Sequence, residues 1–144
     1  MIKKKISKIL VPLDGSKNSI RGLDMAIHIA RQSQGTISAL TVKTVPGIYA
    51  LHPLGFLGIN SGDEAKKIIE SAKVRAAKRG IKLTAKALAG DPGYDIARFA
   101  NNAKNKIDLV VIGARGRSSA KEMFLGSTSN YVLHKSKKPV LIVK

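Results

Sequence analysis

Two glycine-rich turns near the C-terminal end of the chain are the strongest signal for chemistry. The first turn, Gly113-Ala114-Arg115-Gly116, follows the apolar run 109–112, and the second, Gly126-Ser127-Thr128-Ser129, opens a segment with helical periodicity. Glycine has no Cβ and lets backbone N–H groups approach an anion closely, and the first amides of a helix have no partner within it. The two turns together therefore predict a cradle for phosphate.

The spacing of these glycines excludes two common nucleotide-binding motifs. No Gly-Lys-Ser or Gly-Lys-Thr closes a Gly-x4-Gly, as a P-loop requires, and the glycines lie too far apart for the dinucleotide motif Gly-x-Gly-x-x-Gly. A different phosphate-binding arrangement is therefore expected.

From Gly113 to Ser127 the chain follows Gly-x2-Gly-x9-Gly-Ser, which resembles the signature of the ATP-binding branch of the universal stress protein family at every fixed position. Residues 9–16, Ile-Leu-Val-Pro-Leu-Asp-Gly-Ser, look like the opening strand of that family, which ends in an acidic residue near the nucleotide. Residues 138–143, Lys-Pro-Val-Leu-Ile-Val, look like its closing strand. The resemblance covers nearly all 144 residues.

The resemblance implies a binding site for ATP, with or without Mg²⁺. In that site Pro12 and Val42 frame the adenine with backbone groups, and Asp14 touches the ribose hydroxyls, the adenine or a phosphate-bound cation. The phosphates lie against the two glycine turns. The implied binding residues are Pro12, Asp14, Val42, Gly113, Ala114, Arg115, Gly116, Arg117, Ser118, Ser119, Gly126, Ser127, Thr128 and Ser129.

Each of these residues also has a purely structural interpretation. Asp14 could merely cap a turn or the first helix, and the hydroxyls of 127–129 could serve only as helix caps. Capping and phosphate binding use the same helix end, so one role does not exclude the other. Arg115 and Arg117 could pair with phosphates or face solvent, and we expect at least one of them to face solvent.

Three classes of function compete. The first is an ATP-binding regulatory or stress-response module, the second a slow ATPase or phosphotransfer enzyme, and the third a basic protein that binds polyanions without nucleotide. Phosphoryl transfer needs positioned charge on the γ-phosphate and a group that orients the nucleophile. Because Asp14 is the one obvious candidate for such a role, we expect slow or absent turnover and favour the first class.

The composition is strongly basic, with 26 Lys and Arg against nine Asp and Glu and a net charge of +17. A polyanion is therefore a physically plausible partner. The aromatic content of 4%, without tryptophan and without interleaving of Tyr or Phe with the cations, argues against a nucleic-acid stacking platform. The absence of cysteine and the scattered histidines argue against a zinc site.

The N-terminal segment predicts neither a signal peptide nor a membrane span. Residues 1–5 are basic, but the apolar run that follows is short and is broken by Pro12 and Asp14. The expected location is the cytoplasm, without membrane contact.

Apolar periodicity alternates between strands and helices along the chain. The predicted strands are 6–13, 36–45, 81–88, 108–112 and 139–143, and the predicted helices run from Ser16 to a stop at Gly35, over 63–78, from Asp91 through Ala103, and over 127–135. Such alternation is typical of a parallel sheet covered on both faces. We therefore predict a single Rossmann-like α/β domain, 1–144, with a five-stranded doubly wound sheet.

The strand order 3-2-1-4-5 is implied by the family resemblance. It places the switch point between strands 1 and 4, where Asp14 and Gly113 end their strands, and ligands bind at such points. The irregular segment 46–62 could cover a bound ligand or be an inert loop. The last strand would lie at a sheet edge, and both its exposure and the resemblance predict a homodimer formed through it.

Overall fold

Strands and helices alternate throughout the parts of the chain that the computed structural model describes, residues 5–45, 62–116 and 125–144. Their order is β1 Lys8–Pro12, α1 Lys17–Ser33, β2 Thr36–Thr44, α2 Gly62–Ala77, β3 Leu83–Gly90, α3 Pro92–Asn101, a 3-10 turn Ala103–Asn105, β4 Leu109–Gly113, α4 Ser127–Lys135 and β5 Val140–Val143. Most of the predicted flap, residues 46–61, lies outside the described residues.

The five strands form one sheet in the order β3-β2-β1-β4-β5, and every neighbouring pair is parallel. This confirms the predicted fold and strand order. At the centre, Leu10 of β1 lies opposite Ser38 of β2 and Val110 of β4. The chain therefore reverses its winding direction between β1 and β4, and the carboxyl ends of these two strands meet at one edge.

Helices cover both faces of the sheet and enclose two apolar layers. Helices α1 and α2 pack on one face, where Ile9 and Val11 of β1 meet Leu23 of α1 and Ala72 of α2. On the other face, Leu10 of β1 lies in a cluster with residues of α3 and α4. Strands β1 and β4 are buried on both faces, which explains their nearly unbroken apolar sequence.

Short polar side chains cap the starts of α1 and α3. Ser16 is the N-cap of α1 and its hydroxyl accepts a hydrogen bond from the Ser19 amide at 3.1 Å. Asp91 caps α3 in the same way, accepting from the Tyr94 amide at 3.2 Å, with Pro92 as the first helical residue.

Two predicted helix ends were wrong in detail. Gln34, with φ of +56°, provides the left-handed residue that ends α1, so Gly35 is not its stop. Gly35 is small for another reason, because a Cβ there would lie 3.0 Å from the carbonyl oxygens of Ile6 and Ser7. Ala103 is not part of α3 and lies in the 3-10 turn that follows it.

Helix α1 approaches β4 so closely that glycine is present on both sides of the contact. A Cβ on Gly113 would lie 2.6 Å from the carbonyl oxygen of Asn18, and a Cβ on Gly22 would lie 3.3 Å from the backbone nitrogen of Gly113. Both obstacles are backbone atoms, so no side-chain rotation can relieve the overlap. This contact sets the distance between α1 and the central strands.

Among the described residues, no helix is both long and apolar enough to cross a membrane.

Adding one methyl group at Gly113 should destabilise the fold. We expect Gly113→Ala to lower the free energy of unfolding by about 1–3 kcal/mol, as overpacking does in other cores. Urea denaturation measures this change. Gly62→Ala is the matched control, because a Cβ there meets nothing within 4 Å. Equal stability of the two variants would contradict the packing role of Gly113.

Candidate functional site

A cleft of about 450 Å³ opens at the carboxyl ends of the central strands. This volume lies within the range of about 300–1,000 Å³ that is usual for small-molecule sites. Its walls come from the ends of β1, β2 and β4 and from the starts of α2, α3 and α4. The lining residues are Pro12, Leu13, Asp14, Ser19, Leu40, Thr41, Val42, Lys43, Thr44, Glu64, Ala65, Ile68, Pro92, Ile96, Ile112, Gly113, Arg115, Gly116, Gly126, Ser127, Thr128 and Ser129.

Asp14 is held in a fixed position where β1 ends. Its Oδ1 accepts a hydrogen bond from the Ser16 amide at 2.8 Å, across Gly15, whose φ of +84° favours glycine. The other oxygen, Oδ2, faces the first glycine turn, since a Cβ on Gly116 would lie 2.6 Å from it. Asp14 therefore makes the local turn predicted as its structural role and also brings a carboxylate to the glycine turn.

The two glycine turns are joined through one carbonyl group, that of Ala114. The Gly126 amide and the Ser129 hydroxyl both donate to it, each at 2.7 Å. The Ala114 amide in turn donates to the carbonyl of Val143 in β5, also at 2.7 Å. These three bonds fasten the start of α4 to the ends of β4 and β5, so the second turn lies beside the first.

Helix α4 begins at the cleft without a side-chain cap. Its N-cap is Gly126, which makes no side-chain hydrogen bond, and no acidic residue occupies the first turn. Ser127 and Thr128 line the cleft. The positive end of the helix dipole and the first backbone amides therefore face the cleft without an internal negative partner, an arrangement suited to an anion.

Most of the predicted site residues line this cleft, and the remainder divide into two groups. Ala114 is 4% exposed and is not part of the cleft lining, but its carbonyl group joins the two turns. Arg117, Ser118 and Ser119 lie outside the described residues. Ser129 lines the cleft, but its buried hydroxyl donates to Ala114 and lies 3.1 Å from the Gly126 carbonyl.

One sequence-based expectation about the cradle was wrong. The missing Cβ of Gly113 was expected to let the backbone of the first turn approach a phosphate closely. In the structure the missing side chain of Gly113 faces the backbone of α1. Gly113 is therefore required by packing, while Gly116 is the glycine that lies against the Asp14 carboxylate.

Sequence reasoning missed the wall formed by β2 and α2. Thr41, Lys43 and Thr44 extend the cleft beyond Val42, and Glu64 and Ile68 approach from α2. The polar residues at the end of a buried strand were a usable signal, because parallel strands end at one edge. The contribution of α2 depends on the tertiary packing of that helix and had no local signal.

Charges of both signs surround the cleft. Asp14 and Glu64 are the acidic side chains of its described lining, and Lys43 and Arg115 are the basic ones. Within the three described ranges, no group of three or more His, Cys, Asp or Glu side chains is placed to hold a metal ion.

Comparison with known proteins agrees with this architecture. The family described as the universal stress protein family matches residues 5–144. The chain belongs to the universal stress protein family. It is 37% identical over 149 residues to the universal stress protein YxiE of Bacillus subtilis (strain 168), spanning 96% of this chain and 99% of that protein.

Solved universal stress proteins show the same fold. The protein UspA from Lactobacillus plantarum superposes with a TM-score of 0.85 at 26% identity, covering 99% of this chain and all of that one. A universal stress protein solved in complex with cAMP superposes with a TM-score of 0.74, also at 26% identity, and covers 97% of this chain and 98% of its own.

Removing the Ser129 hydroxyl should loosen the junction between the two turns. We expect Ser129→Ala to lower the free energy of unfolding by about 0.5–1.5 kcal/mol, the usual net contribution of one hydrogen bond. Hydrogen exchange at the Gly126 amide should become faster, because its acceptor loses a second anchor. The control is Ser127→Ala, whose exposed side chain lies at the same helix start. Unchanged exchange in Ser129→Ala would contradict the anchoring role.

Proposed function

We propose that this chain is a single-domain, cytoplasmic ATP-binding module that regulates a stress response according to the nucleotide it holds. The observation that carries the proposal is the uncapped start of α4, which faces the cleft beside Gly116 and Asp14. Unpaired amides and a positive helix dipole favour a phosphate group at that point.

The remaining walls suit the other parts of an adenine nucleotide. The strand ends at Pro12 and Val42 offer backbone and apolar surface for the base, while Asp14 lies between that end and the glycine turn, within the same cleft. A carboxylate there can accept hydrogen bonds from ribose hydroxyls or hold a cation on the phosphates. The relative solved with cAMP supports a nucleoside phosphate as the ligand class.

The proposal is for binding with slow or absent turnover. Bound ATP would supply a transferable γ-phosphoryl group, and the described lining offers Lys43 and Arg115 as cations with Asp14 and Glu64 as carboxylates. Asp14 is engaged by the Ser16 amide, which limits its freedom to orient a nucleophile. A phosphate-release rate in the ordinary enzyme range of about 1–10³ s⁻¹, abolished by Asp14→Asn, would make the protein an ATPase instead.

A negative charge at the start of α4 should weaken ligand binding without lowering the stability of the fold. We expect Ser127→Glu to weaken ATP binding about ten- to a hundredfold in calorimetry, because the new carboxylate occupies the place of a phosphate. The same carboxylate interacts favourably with the helix dipole, so the melting temperature should stay equal or rise.

Asn130→Glu is the matched control for that experiment. Residue 130 is exposed and lies in the same helix, but it is not part of the cleft lining. Its change of charge is identical, so we expect ATP affinity to stay within about threefold of the original, in keeping with a screened surface charge. Equal affinity of Ser127→Glu and the original chain would reject the phosphate site.

We propose further that two copies associate through β5. This strand is an edge of the sheet, and Leu141 is 37% exposed on it. An edge strand carries unpaired backbone groups on its outer side, which favours pairing with a second chain. A two-fold axis would let each β5 meet its counterpart.

A charge on the β5 edge should break this association. Leu141→Lys places two like charges close to the two-fold axis, so sedimentation at micromolar concentration should show monomers. Leu133→Lys is the control, because Leu133 is similarly exposed, at 41%, but lies on α4. A monomeric original chain would contradict the proposal, and an unaffected dimer in Leu141→Lys would place the interface elsewhere.

A further inference from the structure

A second groove, of about 710 Å³, lies between α1 and α2. Both helices connect neighbouring parallel strands on the same face of the sheet, so they run side by side in the same direction. The groove follows their C-terminal halves, from Asp24 to Arg31 on α1 and from Glu70 to Arg79 on and beyond α2. The nucleotide cleft lies at the opposite end of the strands, so the two regions share no residue.

An ion pair links α1 and α2 across the groove. The guanidinium of Arg75 donates two hydrogen bonds to the carboxylate of Asp24, at 2.5 and 2.8 Å. The paired guanidinium lowers the pKa of Asp24, and the carboxylate raises the pKa of Arg75, so both groups stay charged over the physiological range. Arg75 thereby neutralises the Asp24 carboxylate, which is the acidic group that α1 contributes to the groove.

The rest of the groove lining is mostly basic and includes two aliphatic side chains. Arg31, Lys78 and Arg79 are exposed, and Glu70 is the one other acidic side chain in its lining. Val74, which is 52% exposed, and the buried Ile27 line the same groove. An aliphatic seat surrounded by cations is complementary to a ligand that carries carboxylates around an aliphatic side chain.

The charge of the whole molecule restricts what can occupy this groove. With 26 Lys and Arg against only nine Asp and Glu, a second copy of the chain offers few carboxylates to the cations of this groove. A nucleic acid fits less well, because no Phe, Tyr or Trp is among the lining residues and Asp24 and Glu70 interrupt a continuous path for phosphates. A protein segment with separate carboxylates avoids both obstacles.

We propose that the groove between α1 and α2 is a docking site for an acidic, leucine-containing segment of a partner protein. The leucine side chain would lie on Val74, and the acidic side chains would pair with Arg31, Lys78 and Arg79. Because the groove is remote from the cleft, a partner can bind while the nucleotide site stays accessible.

A labelled peptide of roughly ten residues, long enough to span the groove, tests this assignment. The peptide carries Glu and Asp around one Leu, and fluorescence anisotropy measures its binding in about 0.1 M salt, where long-range attraction is screened. We expect the triple variant Arg31→Gln, Lys78→Gln and Arg79→Gln to weaken binding about ten- to a hundredfold.

The control variant removes three exposed lysines from other surfaces, Lys86→Gln, Lys104→Gln and Lys135→Gln. Both triple variants have three cations fewer and fall from +17 to +14. We expect the control to bind the peptide within about twofold of the original. Equal losses in the two variants would show attraction to net charge alone and would overturn the proposal.

Val74→Ser tests the aliphatic seat separately. It should weaken binding of the leucine peptide several-fold, and it should not affect a peptide in which serine replaces the leucine. Three other results would overturn the proposal. The first is no peptide binding by the original chain, and the second is groove-dependent binding of a labelled oligonucleotide that is tighter than binding of the peptide. The third is a loss of thermal stability in the groove variant while peptide binding is retained. The last result would make the cations helix-terminal stabilisers only.

Discussion

The close contact between α1 and β4 is the constraint on which the site depends. Backbone atoms meet at Gly22 and Gly113, so the helix lies directly on the central strand. Helix α1 begins just after Asp14, and the glycine turn begins at the end of β4. Because the helix and the strand are in contact, the turns that precede and follow them are also in contact, and the Asp14 carboxylate reaches Gly116. A larger distance between α1 and β4 would move the Asp14 carboxylate away from the first glycine turn.

The second condition is the position of the start of α4, which is set by hydrogen bonds, while Val132 further along the helix packs in the apolar core. The carbonyl of Ala114 accepts from both Gly126 and Ser129, and this places an uncapped helix start at the cleft. A single neutral hydrogen bond contributes only about 0.5–1.5 kcal/mol, so two on one acceptor form a modest but directional anchor. Among its described residues the molecule thereby has a cleft with an uncapped helix start at the carboxyl ends of the strands, and a separate basic groove between α1 and α2.

Comparison of sequence and structure at particular residues shows where prediction succeeds. The caps Ser16 and Asp91 were predictable because a capping side chain bonds an amide three residues away. Gly35 and Gly113 were misinterpreted because a Cβ at either position would lie too close to backbone atoms that are distant in sequence. The lining from Glu64 and Ile68 was missed for the same reason, since α2 reaches the cleft only through its packing on the sheet.

The sequence by itself determined the alternation of strands and helices, the parallel doubly wound sheet and the spacing of the two glycine turns. These features depend on periodicity, capping and spacing, which involve residues close to one another in the sequence. Only the tertiary structure decided which glycine lies at the Asp14 carboxylate, which hydroxyl is used internally, and that a basic groove forms at the other end of the molecule. Those features depend on distances between segments far apart in the chain, which are set when the helices pack on the sheet.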